Sequence, residues 1–219
     1  MKLVLASNNQ KKLKELRSLL GDLRVDLVAQ GELGIAEAEE PHLTFLENAL
    51  AKARHAARAS GWPAIADDSG LCVDALGGAP GVISAHFAPA PSVDGDREAF
   101  RRAQDAANNC LLLERLAGVA DRRAAFVSTL VAVRAADDPQ PLVATGRWPG
   151  EVLAELRGEG GFGYDPLLFI PALGATVAEI DAAVKNSHSH RARAMVQMAR
   201  RWRQGRRDSR GSDRYRSRC

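Results

Sequence analysis

The sequence predicts an α/β fold with a central mixed β-sheet flanked by helices, and three observations carry that expectation. An apolar run, a helical stripe and a second apolar run follow one another within the first 29 residues, the order that builds a parallel strand pair. A long amphipathic segment then leads into a third apolar run at 64–67 that closes on two acids, Asp67 and Asp68. Later, 124–133 and 141–152 are β-rich and separated by Ala135-Ala136-Asp137-Asp138-Pro139, which reads as an antiparallel hairpin and makes the sheet mixed.

Taken in order, 2–6 is a short buried strand, and 11–20 places Leu13, Leu16, Leu19 and Leu20 on one helical face that Gly21 ends. A strand at 24–29 follows, then a loop over 30–42 rich in Gly and Glu. Thr44 and Glu47 have the spacing of a capping box. They open a helix with Phe45, Ala49, Ala53 and Ala56 on its inner face and Gly61 past its end. After the acidic strand, Gly77-Gly78-Ala79-Pro80-Gly81 is a turn cluster and 94–116 is helical by period. Residues 158–163 form a glycine loop, and 191–203 a final helix. The expected organisation is one domain over 1–203 and a disordered tail over 204–219.

The chain of 219 residues carries a net charge of +3, but residues 200–219 hold nine Arg against two Asp. The rest is therefore mildly acidic and has no general footprint for nucleic acid. Cys72, Cys110 and Cys219 are widely spaced and odd in number, which fits a reducing cytoplasm rather than a disulfide framework. No signal-peptide pattern and no run of about 18 apolar residues appears, so neither export nor a membrane partner is expected.

Four clusters carry chemistry. Ser7, Asn8, Asn9, Gln10, Lys11 and Lys12 lie between the first strand and the first helix, where free backbone N–H groups and lysines make a receptor for phosphate. They equally suit an ordinary helix cap. Asp67 and Asp68, with Glu39 and Glu40 from a separate segment, are the carboxylates that Mg²⁺ takes when it also keeps waters and binds phosphates; capping and lysine pairing are the plain alternatives. Gly160-Gly161-Phe162-Gly163-Tyr164-Asp165-Pro166 lets a flat ligand approach backbone and stack on an aromatic, or forms a tight turn with core aromatics. Lys185-Asn186-Ser187-His188-Ser189-His190-Arg191 is donor-rich, and its histidine spacing is no standard zinc arrangement.

In this order the clusters resemble the inosine triphosphate pyrophosphatase family, which acts on non-canonical purine nucleoside triphosphates. The resemblance runs from Leu3 to about Met198 and rests on Leu5-Ala6-Ser7-Asn8-Asn9-Gln10-Lys11-Lys12, Thr44-Phe45-Leu46-Glu47-Asn48-Ala49, Ala66-Asp67-Asp68-Ser69-Gly70-Leu71, Gly78-Ala79-Pro80-Gly81-Val82, Gly161-Phe162-Gly163-Tyr164-Asp165-Pro166 and Ser189-His190-Arg191. It implies an elongated fold related to the Maf proteins, with the active cleft between two lobes. It also implies Mg²⁺-dependent hydrolysis of ITP, dITP and XTP to monophosphate and pyrophosphate by a cytoplasmic homodimer.

By position, the resemblance implies that Ser7, Asn8, Asn9, Gln10, Lys11 and Lys12 hold the triphosphate. Glu40 and Asp68 are the metal-site acids, Asp68 is the base that activates water, and Ser69 lies beside the substrate. Phe162, Gly163, Tyr164, Asp165, Lys185, His190 and Arg191 enclose the nucleobase. The chain departs from the family's usual pattern at His86, at Ala183-Val184 and at His188. The rival readings are a Maf-like pyrophosphatase for other modified nucleotides and a non-catalytic nucleotide- or nucleic-acid-binding protein. The Maf-like pattern resembles Ser-Pro-Arg-Arg where this chain has Ser7-Asn8-Asn9-Gln10.

Overall fold

The computed structural model describes residues 2–9, 13, 14, 16, 17, 25–92 and 96–216. Gln10, Lys11, Lys12, Leu19 and Leu20, all named above, lie outside the described residues. The sheet has seven strands in the order β2-β1-β3-β4-β5-β6-β7. These are β1 (Lys2–Leu5), β2 (Asp26–Ala29), β3 (Ala64–Val73), β4 (Arg123–Val133), β5 (Leu142–Val152), β6 (Leu168–Ile170) and β7 (Ala175–Thr176). β1 runs parallel to β2 and β3, whereas β6 runs antiparallel to β5 and β7, so the sheet is mixed as expected. β6 and β7 were not anticipated: at three and two residues they are too short to leave an alternating pattern.

Among the described residues, four α-helices have defined bounds: α1 (Phe45–Ser60), α2 (Arg97–Arg115), α3 (Ala182–His188) and α4 (His190–Arg216). The capping box at α1 forms as the sequence predicts. Thr44 Oγ1 accepts the Glu47 N–H at 3.2 Å and donates to Glu47 Oε2 at 2.6 Å, and Gly61 closes the helix at φ 71°. Asp96 caps α2 through the N–H groups of Glu98 and Ala99. α4 runs past the expected end at residue 203 and through 204–216; once a helix is nucleated, each further residue costs little to add.

β3 differs from the expected strand in a way that matters. It does not end at Asp67 but continues to Val73, so Asp67 and Asp68 sit mid-strand and both are buried. Gly70 permits this, because a Cβ there would meet the Gly81 carbonyl and the Ser84 hydroxyl inside van der Waals contact. Leu71 and Val73 then supply fully buried apolar side chains that carry the strand on.

The chain divides into two compact units. One comprises Met1–Asp68, Thr129–Gly146 and Arg191–Cys219; the other comprises Ser69–Ser128 and Arg147–His190. The first unit has a core on each face of its sheet. One face packs Leu3, Leu5, Ile65 and Leu130 with Leu13, Leu16, Met195 and Met198. The opposite face packs Val4, Ala6, Ala64, Ala66, Val131 and Val133 with Ala49, Ala53 and Ala56 of α1. Small alanines on both sides let helix and sheet approach closely. The second unit has its own core, in which Leu71, Val73, Leu112, Leu116, Phe126, Trp148 and Leu168 pack together.

Candidate active site

Alternation along β3 sends its two acids to opposite faces. Asp67 follows Ile65 and faces the core shared with α4; its Oδ2 accepts Arg191 Nε at 3.2 Å, and both side chains are almost wholly buried. Asp68 follows Ala66 and faces α1, where its Oδ1 accepts Lys52 Nζ at 2.9 Å. The same ammonium donates to Glu40 Oε2, also at 2.9 Å. Two carboxylates from separate segments thus converge on one buried cation. Burial alone would push the Lys52 pKa down, but the charges of Asp68 and then Glu40 outweigh it and hold the value above that of an ordinary lysine.

Lys52 was missed by sequence reasoning, although a signal existed. It lies on the inner face of α1 among Ala49, Ala53 and Ala56, where a charged residue requires a partner. Asn48, one turn earlier, was missed for the same reason. It is 1% exposed, and its amide accepts the His42 N–H at 3.0 Å and donates to the His42 carbonyl at 3.1 Å. That pair of bonds anchors the loop two residues beyond Glu40.

The parallel register pairs Leu5 with Ile65; Ser7 lies in the loop two residues past the end of β1, and Asp67 two residues further along β3. Ser7 Oγ accepts the Asn9 N–H at 3.2 Å, and the Asn9 carbonyl accepts the Leu13 N–H at 2.8 Å. This is a helix start of the expected kind directly after a strand. Ser7, Asn8 and Asn9 are half-buried.

In the second unit, Asp165 Oδ2 accepts Lys185 Nζ at 2.7 Å and the Phe162 N–H at 2.9 Å. Lys185 Nζ also stands 4.8 Å from the centroid of the Phe162 ring. Gly161, at φ 77°, has no room for a side chain because a Cβ would collide with the Asp165 carboxylate. The Tyr164 hydroxyl donates to the Ser84 carbonyl at 2.9 Å, and burial pushes its pKa up. His190 is buried, with its ring stacked on Phe126 at 5.0 Å between centroids. Ser69 is half-buried, and His86 and His188 are exposed.

The site residues therefore form two constellations. Glu40, Lys52 and Asp68, with the Asp67–Arg191 pair on the other face, belong to the first unit; Phe162, Asp165 and Lys185 belong to the second. Arg191, grouped by position with the nucleobase residues, is engaged by Asp67. Lys185 and His188, read as part of a loop or donor cluster, lie on α3. Among the described residues no three His, Cys, Asp or Glu gather in a metal-ligating group. No described helix is long and apolar enough to cross a membrane.

Comparison with known proteins follows the same lines. The sequence model of the Ham1 family matches residues 3–201. A dITP/XTP pyrophosphatase of Leptothrix cholodnii is 71% identical over 201 residues, covering 90% of this chain and 95% of that protein. A second, of Methylibium petroleiphilum, is 68% identical over 198 residues, covering 90% and 95%. Among solved structures, a HAM1 protein from Coxiella burnetii superposes with a TM-score of 0.83 at 40% identity, covering 93% of this chain and 99% of that one. A nucleoside-triphosphatase or dITP/XTP pyrophosphatase from Mycobacterium abscessus gives 0.67 at 39% identity, covering 90% and 97%.

Proposed function

The chain belongs to the Ham1 family, and on that premise we propose that it is a nucleoside triphosphate pyrophosphatase hydrolysing dITP, XTP and ITP to the monophosphate and pyrophosphate. The observation that carries the catalytic assignment is the convergence of Glu40 and Asp68 on the Lys52 ammonium. Two carboxylates exceed the single ammonium between them by one charge, so the cluster stays net negative and favours a second cation. Hard carboxylate oxygens from two segments suit Mg²⁺, which takes its remaining ligands from waters and phosphates. When bound at Glu40 and Asp68, it supplies neutralisation of charge on the phosphate oxygens.

Asp68 is assigned as the base that removes a proton from the attacking water. Lys52 holds the Asp68 carboxyl group in place for that step and brings its own positive charge beside the phosphate oxygens. Ser7, Asn8, Asn9, Gln10, Lys11 and Lys12 hold the triphosphate, with Ser69 beside it. Phe162, Gly163, Tyr164, Asp165, Lys185, His190 and Arg191 enclose the purine. Inosine and xanthine present a 6-oxo acceptor where adenine presents an amino donor. Arg191 gives its Nε–H to Asp67 and carries further N–H donors, and we assign His190 or Arg191 as the donor that accepts the first and rejects the second. The working state is a cytoplasmic homodimer, as the family resemblance implies.

The test is pyrophosphate release from ITP, XTP, dITP, GTP and ATP with Mg²⁺, for wild type and Asp68→Asn. Loss of the base should lower kcat by about 10²- to 10⁴-fold. Unchanged turnover would remove Asp68 from the mechanism, and equal rates on ATP and ITP would remove the 6-oxo argument.

A further inference from the structure

The loop that carries Phe162 and Tyr164 is gripped from both sides at a single residue. Helix α2 presents Asp105 and Asn109 one turn apart on one face. Asp105 Oδ2 accepts the Gly163 N–H at 2.8 Å, and Asn109 Nδ2 donates to the Gly163 carbonyl at 3.0 Å. Gly163 has φ 62°, so the grip falls where the chain reverses. The neighbouring face of α2 holds a second segment. Gln104 Nε2 donates to the Ala88 carbonyl at 3.0 Å, and Asn108 accepts the Ala88 N–H at 2.8 Å while donating to the Ser84 carbonyl at 3.3 Å. That Ser84 carbonyl is also the acceptor for Tyr164. One helix thus fixes the loop directly at Gly163 and, through Ser84, at Tyr164.

Asn109 is 6% exposed, and its Oδ1 has no hydrogen-bond partner among the described residues. A leucine there would remove the unmet oxygen but would leave the Gly163 carbonyl without its donor, so the amide is explained by the one bond it makes to Gly163. We propose that Asp105 and Asn109 are positioning residues for purine recognition, clamping the Gly163 peptide so that the Phe162 ring stands in place before substrate arrives. An ordered loop binds without the entropic cost of ordering. The proposal rests on the reading of Phe162, Gly163, Tyr164 and Asp165 as the residues that enclose the nucleobase.

The test uses the full chain with Asn109→Leu, Asp105→Ala, Asp105→Asn and Phe162→Ala, reading KM and kcat for ITP and hydrogen exchange at the Gly163 amide. Asn109→Leu and Asp105→Ala should each raise KM about tenfold with kcat within about twofold, and each should speed exchange at Gly163. Asp105→Asn, whose amide oxygen still accepts, should restore both. In a Phe162→Ala background, Asn109→Leu should add nothing to KM. An unchanged KM in Asn109→Leu, or the same tenfold rise with and without Phe162, overturns the proposal. If Asn109→Leu does not fold, the contrast between Asp105→Ala and Asp105→Asn decides. If Phe162→Ala leaves KM unchanged while exchange at Gly163 still quickens in the clamp variants, the nucleobase assignment of the loop has failed, and the clamp's role in recognition falls with it.

Discussion

Replacing Lys52 by methionine keeps a straight side chain of similar volume and removes the charge that Asp68 and Glu40 share. In the native protein the ammonium donates to both at 2.9 Å, with the Lys52 and Asp68 side chains only 11% and 6% exposed. Breaking one partner out of a buried pair costs about 3–5 kcal/mol, because a desolvated carboxylate loses its counter-charge. At about 2–4 °C per kcal/mol for a chain of this size, Lys52→Met should lower Tm by about 6–20 °C at neutral pH. A further arm fixes the cause: Asp68→Asn in the same chain should recover most of the loss, since it removes the charge left behind. In the wild type the Lys52 pKa lies above the unfolded value of about 10.4, so its contribution is fully present below that pH and is lost only as pH rises through the folded value. Thermal unfolding across pH measures all of this. A loss below about 1 kcal/mol, or one that Asp68→Asn does not relieve, would refute the reasoning.

Two other outcomes follow from the packing and the charges. Gly70→Ala should destabilise by about 1–3 kcal/mol, because its Cβ drives into the Gly81 carbonyl and the Ser84 hydroxyl; a Tm within 1 °C of wild type, as an order-of-magnitude threshold, would mean that the β3 path relaxes freely. Asp138, buried and bonded by the Arg134 side chain and by the Arg134 and Gln140 N–H groups, is held well below the usual carboxylate range. Its stabilisation is present above about pH 4 and lost as pH falls through the lowered value, so Asp138→Asn should cost about 1.5–3 kcal/mol at pH 7 and flatten the acid limb of a Tm-versus-pH curve.

Local patterns were legible in the sequence wherever one short segment sufficed to make them. Thr44 and Glu47 are three residues apart and cap α1 with no help from elsewhere. The β-loop-α-β order at the amino terminus implied the parallel β1–β2 pair, which forms in register from Lys2 to Leu5. The end of β3 was not legible. Ser69 and Gly70 look like a strand terminator, and only the approach of Gly81 and Ser84, more than ten residues away, makes glycine a requirement for continuing. The clamp on Gly163 was equally hidden, since Asp105 and Asn109 lie more than fifty residues before it.

The sequence by itself determined the fold class and the family and marked the short segments proposed to hold the site, because hydrophobic period, caps and glycine turns act over a few residues. The tertiary structure alone decided which partner each charge has. Asp67 and Asp68 are adjacent and chemically equivalent as a doublet, yet the pleat of β3 sends one to Arg191 of α4 and the other to Lys52 of α1, whose ammonium Glu40 shares. Coulombic pairing falls off over a few ångströms, so it depends on which distant segments the packed sheet brings to each face.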